Sequence, residues 1–149
     1  MAKKKSTTLR QAQGDKKKGK QSLEEVYDTI LPLLKKYEPK MTRLAPGNPI
    51  KVGNKKSYGL WTGKAVTFMN REFPSIYFAG LIIQKDFVGF YYFPVYGKPE
   101  MKKKMKPELL KLLKGKSCFH VKAIDAELKK QIKDELENGY NCYKKLGWI

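Results

Sequence analysis

Apolar residues recur along this chain with two different periods, and each change of period marks an element. Ser22 and Glu25 have capping-box spacing. Leu23, Val26, Tyr27, Ile30, Leu33, Leu34 and Tyr37 follow at helical intervals, so a helix is expected from Ser22 onward. Pro32 falls inside it and is expected to kink or split it. Pro39 marks its end. The clearest strand pattern is Ile76–Ile83, then Gln84-Lys85-Asp86, then Phe87–Tyr96. Two apolar runs joined by three polar residues read as a β-hairpin. In the second run Phe87, Tyr91 and Phe93 fall on one face and Val88, Phe90 and Tyr92 on the other. With both faces apolar, this strand is expected to be central and covered on both sides.

The remaining pattern is more broken. Pro46-Gly47-Asn48-Pro49, Gly53-Asn54 and Gly63 are turn signals. Between them lie extended candidates at Met41–Ala45, Ile50–Val52 and Ser57–Trp61. Ala65–Met69 is a further strand candidate, and Asn70–Ser75 reads as a turn or loop. Gly97–Lys106 is a lysine-rich connection. Pro107 suits the first turn of a helix that Glu108–Lys114 continues, with Leu109, Leu110, Leu112 and Leu113 as its buried stripe. Gly115 then reads as its C-terminal cap, and Cys118–Lys122 as a strand. Asp125 caps a last helix carrying Leu128, Ile132, Leu136, Tyr140 and Tyr143 on its apolar side. Gly139 is expected to weaken that helix or end it. Strands interleaved with three helical segments define an α+β class: an antiparallel sheet with a central hairpin, flanked by N-terminal, middle and C-terminal helices.

Composition adds a boundary and a charge. Residues 1–20 hold almost no large apolar side chain, so a disordered basic tail is expected there, with a single domain over residues 21–149. Hydrophobic residues make up 41% of the chain, enough for a real core. No apolar run is long enough to span a bilayer, and the positive N-terminus lacks the apolar stretch of a signal peptide. Cytoplasmic location without membrane insertion is the expectation. Net charge is +18, from 32 Lys+Arg against 14 Asp+Glu. The first 20 residues contribute +7 (8 basic, one Asp) and the other 129 contribute +11 (24 basic, 13 acidic). Such a field attracts RNA, DNA or another polyanion. The bias is mostly Lys, with only Arg10, Arg43 and Arg71, whereas specific phosphate or base recognition favours the guanidinium. Solubility is the competing explanation.

Lys114-Gly115-Lys116-Ser117-Cys118-Phe119-His120-Val121 invites several chemistries at once. Gly115-Lys116-Ser117 looks like the end of a phosphate loop, but position 110 is Leu rather than the required Gly. The order is also helix then strand rather than strand then helix, which excludes that reading. Cys118 and His120 share a strand face, and Cys142 would be a third soft ligand. There is no Cys-x-x-Cys pair and one His, so no metal site and no cofactor are assigned. A Cys–His catalytic pair is poorly served by i, i+2 strand neighbours. The clustered acids Glu24, Glu25, Asp28 and Asp134, Glu135, Glu137 read as solvated helix faces. No catalytic constellation emerges, so a non-enzyme is expected. Against the aromatic strand signature of RNA-recognition domains, only Gly89, Phe90 and Phe93 match. Lys102, Lys103, Lys104, Lys106, Lys111, Lys114 and Lys116 form the densest basic stretch, as a phosphate-contact surface or as a solvated loop and helix face. Tyr91, Phe93, Tyr96 and His120 are candidates for lining an aromatic pocket.

Several of these segments together carry a resemblance. Phe93-Pro94-Val95-Tyr96, Pro99-Glu100, Pro107-Glu108-Leu109, the Lys114–Phe119 block and the ending Tyr143-Lys144-Lys145 with Gly147-Trp148 resemble the YdhG-like domain-of-unknown-function family. The resemblance runs from Ser22 to Ile149 and is less clear over residues 39–75. It implies a compact α+β domain with an antiparallel sheet flanked by helices, and no established activity. Some relatives are labelled frataxin-like iron chaperones, which would use an acidic ridge for a hard cation. This chain departs from that pattern, so no iron ligands carry over. The expected function is a non-enzymatic binding domain with an anion-attracting surface, nucleic acid being the natural partner. The alternatives are a frataxin-like iron chaperone and a small-molecule site in an aromatic-lined pocket.

Overall fold

The computed structural model describes residues 21–42, 56–98 and 100–149. The tail over residues 1–20, the strand candidate Ile50–Val52, the end of Met41–Ala45 and the turns at 46–49 and 53–54 lie outside them. Helix α1 spans Leu23–Lys35. Its capping box is complete: Glu25 N–H donates to Ser22 Oγ, and Ser22 N–H donates to Glu25 Oε1. Pro32 neither ends nor splits the helix. It sits on the exposed side, so the one backbone bond it forfeits is that of the exposed Asp28 carbonyl. A 3-10 turn over Glu38–Lys40 leads into strand β1, Met41–Thr42.

Strands β2 (Ser57–Thr62), β3 (Val66–Phe68) and β4 (Arg71–Phe73) follow. β4 corrects the loop expected over residues 70–75. Met69 and Asn70 both take positive φ (52° and 63°), making a tight two-residue turn that pairs Phe68 with Arg71. β5 (Tyr77–Ile83) and β6 (Val88–Tyr92) form the expected hairpin. β6 is shorter than its apolar run. Phe93 turns helical and Pro94 opens the short helix α2, Pro94–Gly97. The expected connection then contains helix α3, Glu100–Lys104.

Helix α4 covers only Pro107–Leu110, not the expected stretch to Lys114. Its N-terminus is capped from outside, where Leu109 N–H donates to the buried Gln131 Oε1. Beyond it, strand β7 (Leu113–Lys114) pairs with strand β8 (Cys118–Val121). Gly115 is therefore the turn residue of a three-residue hairpin loop rather than a helix cap, and its φ of +79° shows why glycine stands there. Helix α5 runs unbroken over Ala126–Lys145, capped by the Asp125 side chain, so Gly139 neither ends nor interrupts it.

Six strands form one sheet in the order β1-β2-β5-β6-β8-β7, every pair antiparallel, with β3–β4 as a separate hairpin. This is the α+β class with the hairpin central. One face is covered by α1 and α5. Val26, Ile30 and Leu34 of α1, with Ile132, Leu136 and Tyr143 of α5, bury fully or nearly so against Leu60, Phe78, Leu81, Val88, Phe90, Tyr92, Phe119 and Val121. Each such side chain contributes about 1.5–3 kcal/mol by leaving water. Polar ties fix the helix in place. Tyr92 Oη donates to the Glu135 carbonyl, and Tyr143 Oη donates to the Tyr77 carbonyl at 2.7 Å.

Candidate functional site

Strand alternation gives the sheet a second face, here called the outer face, and its residues take no part in the core. Across one line of cross-strand partners lie Gly59, Gly80, Tyr91, Cys118 and Lys114. The neighbouring line holds Ser57, Ile82, Gly89 and His120. A bulge fixes which aromatics join them. Leu60 pairs with Ala79 but Trp61 pairs with Tyr77, so Phe78 is an extra residue on β5. The bulge lets Phe78 and Ala79 both enter the core and sends Tyr77 outward beside Trp61, their rings edge-on at 4.8 Å.

The outer face is shallow because its glycines are overlaid by rings. A Cβ on Gly80 would strike the Tyr77 hydroxyl and the Tyr58 carbonyl. One on Gly89 would lie 2.8 Å from Tyr91 Cε1. Phe87 and His120 stack in parallel, 3.7 Å between centroids at 11°. Trp61, Tyr77, Ile82, Phe87, Tyr91, Cys118 and His120 are all half-buried. Among the described residues, the helices that pack on the sheet do so on the opposite face.

The Tyr77 hydroxyl lies over Gly80 and the Tyr91 hydroxyl over Gly89. Burial is the main cause raising the Tyr77, Tyr91 and Cys118 pKa values, with Tyr91 and Cys118 also hydrogen-bonded to each other. The Cys118 thiol is therefore protonated at neutral pH and a poor nucleophile. At the Trp61–Tyr77 end of the face, Trp61 Nε1 is buried with no partner among the described residues.

The four pocket candidates do not meet. Tyr91 and His120 stand on the outer face. Phe93 leaves it because the strand ends at Tyr92, and packs instead with Phe68 at 5.7 Å and Tyr96 at 5.4 Å. Phe68 in turn contacts Trp148. The expected covering of β6 on both sides is met on the core face alone among the described residues. Nor do the three soft ligands meet. Cys118 and His120 lie on the outer face, whereas Cys142 belongs to α5 on the other side. Among the described residues no group of three or more His, Cys, Asp or Glu gathers.

All seven candidate lysines are exposed: Lys102, Lys103 and Lys104 on α3, Lys106 and Lys111 flanking α4, Lys114 on β7 and Lys116 in the hairpin loop. Among the described residues none of them has a carboxylate at ion-pair distance, whereas Lys36, Lys56 and Lys130 do. The acid within the segment, Glu108, accepts from Gln131 Nε2 at 2.9 Å, which is the main cause lowering its pKa. Lys116 sits 5.3 Å over the Tyr96 ring, and Lys114 ends the line of partners that crosses the outer face. Trp61, Tyr77, Gly59 and Gly80 of this face were not singled out from sequence. Their common signal is the alternation of Gly80 and Gly89 with apolar residues, but only the register shows that they adjoin.

The acids of α5 are not all solvated. Glu135 is buried and its Oε1 lacks a partner among the described residues. Glu137 accepts from Tyr37 Oη at 2.9 Å and Lys36 Nζ at 3.2 Å, and the Tyr37 bond is the main cause holding its pKa down.

Among the described residues no helix is long and apolar enough to cross a membrane. Comparison with protein-family models, with curated proteins and with solved structures finds no match.

Proposed function

We propose that this protein is a non-enzymatic binding domain for a polyanion, with nucleic acid as the ligand class. The carrying observation is the set of seven lysines between Lys102 and Lys116, all exposed and without ion-pairing carboxylates among the described residues. Elsewhere Lys36, Lys56 and Lys130 are paired with carboxylates, Lys56 with both Glu24 and Asp28. Lysines left uncompensated on short helices and a hairpin loop retain their attraction for phosphate, and binding releases the counterions that phosphate had condensed. Lysine rather than arginine suits sequence-tolerant backbone contact, because it acts as a point charge without a fixed fork.

Fluorescence anisotropy with a labelled nucleic acid tests the reading. Affinity should fall linearly on a log–log plot as salt rises from about 50 to about 200 mM. Replacing Lys102, Lys103 and Lys104 together by Gln should lower that slope by about 2 to 3. Melting should not fall, since these side chains are exposed and their removal relieves like-charge repulsion. Binding that is absent at low salt, or indifferent to salt, would defeat the proposal.

A further inference from the structure

We propose that the outer face of the sheet is a stacking platform for unpaired bases, so that the polyanion is a single-stranded nucleic acid. This rests on the polyanion reading above and narrows it. Three observations carry it. The first is chemical: the outer face sets Ile82 among the rings of Trp61, Tyr77, Phe87, Tyr91 and His120, all half-buried. The second is geometric. Gly80 and Gly89 lower the surface so that the Tyr77 and Tyr91 rings lean across it, and a flat base can reach ring faces with no Cβ in the way. Neighbouring strands stand about 4.8 Å apart, so rings on β6, β8 and the loop before β6 offer successive places to extended nucleotides. The third is electrostatic. Lys114 ends the same line of partners as Tyr91 and Cys118, which places this unpaired lysine at the edge where a bound strand's phosphates would run. Duplex bases are already stacked on each other and cannot use such a surface.

The platform is tested with full-length protein and three probes of matched charge: a single-stranded oligonucleotide, its duplex and inorganic polyphosphate. The single strand should bind about ten-fold more tightly than either other probe. Tyr91→Leu and Phe87→Leu keep apolar cover over the sheet but remove the ring. Each should weaken single-strand binding by about ten-fold, with the salt slope and duplex binding unchanged. If a variant fails to fold, photo-crosslinking of wild-type protein to bromouridine-containing RNA decides, with adducts expected at Phe87, Tyr91 or His120. Equal affinity for the three probes, or adducts confined to other segments, would overturn the platform and leave the lysine proposal standing. A dimer in sedimentation that Tyr91→Leu dissociates would make this face an interface between copies and would also overturn it. Loss of salt-dependent binding to every probe would remove both proposals together.

Discussion

Gly139 lies in the C-terminal half of α5, where glycine ordinarily weakens a helix by about 1 kcal/mol relative to alanine. Here the residue has a packing reason. A Cβ at this position would meet the Tyr92 ring and hydroxyl, and would approach Pro94 Cγ to 3.0 Å. Tyr92 cannot swing aside without losing its bond to the Glu135 carbonyl. Gly139→Ala should therefore destabilise, by about 1–2 kcal/mol after the propensity gain, as read by urea unfolding. A more stable variant would show that the Tyr92 ring yields freely. Glu135, one turn earlier, makes a pH-dependent prediction. Burial is the main cause raising its pKa, with Asp134 adding and an Asn138 hydrogen bond opposing. A carboxyl whose folded pKa lies above its unfolded value favours folding most in acid, and that contribution is lost as pH rises through the folded pKa. Glu135→Gln should accordingly melt higher than wild type at neutral pH, with the gap closing in acid. Calorimetry from about pH 4 to about pH 7 checks this, and a gap that is constant with pH would contradict it.

At the scale of elements, the hairpin β7–β8 shows how tertiary pairing overrides a local pattern. Leu109, Leu110, Leu112 and Leu113 after Pro107 satisfy a helical period, yet the helix stops at Leu110. The Leu112 carbonyl accepts from His120 N–H at 3.0 Å, and Leu113 pairs with Phe119, so the sheet takes the backbone groups a longer helix would have used. Gly115 makes that possible. Nothing lies within 4 Å of a Cβ built on it, so the cost of substitution is conformational alone. Gly115→Ala should destabilise by about 1–2 kcal/mol and Gly115→Asn by less, since Asn tolerates the left-handed region. The C-terminus of α5 uses the same device. Gly147 takes φ +76°, its N–H reaches the Lys144 carbonyl, and Trp148 N–H reaches the Tyr143 carbonyl. That turn folds Trp148 back onto Tyr143, 4.9 Å away, and onto Phe68. Elements with end signals of their own, α1 and α5, were legible from sequence; β4 and β7, of three and two residues, are too short to show a period and were not.

For the whole molecule the dominant quantity is net charge, +18 over 149 residues. Like charges repel more in the compact state than in the expanded one, and salt screens them. Raising sodium chloride from about 20 mM to about 200 mM should therefore raise the melting temperature by a few degrees, the reverse of its effect on ligand affinity. A melting temperature that falls with salt would mean that attractive pairs such as Lys36–Glu137 and Lys56–Glu24 outweigh the repulsion. The same field that costs stability is what would draw a polyanion, so the two salt responses have a common origin.

The sequence by itself determined the α+β class, the capped first and last helices, the central hairpin and the basic balance of the chain. Each follows from neighbours close in the chain: a capping side chain three residues away, a period of 3.6 or 2, or a sum of charges. The tertiary structure alone decided that Gly115 turns a hairpin, that β6 stops at Tyr92, and that Phe93 and Tyr96 part from Tyr91 and His120. It also decided that glycines and rings from β2, β5, β6 and β8 make one face, with Lys114 at its edge. Those facts depend on strand register and on one bulge at Phe78. Register is set by which side chains share the core, and that compares residues tens of positions apart along the chain.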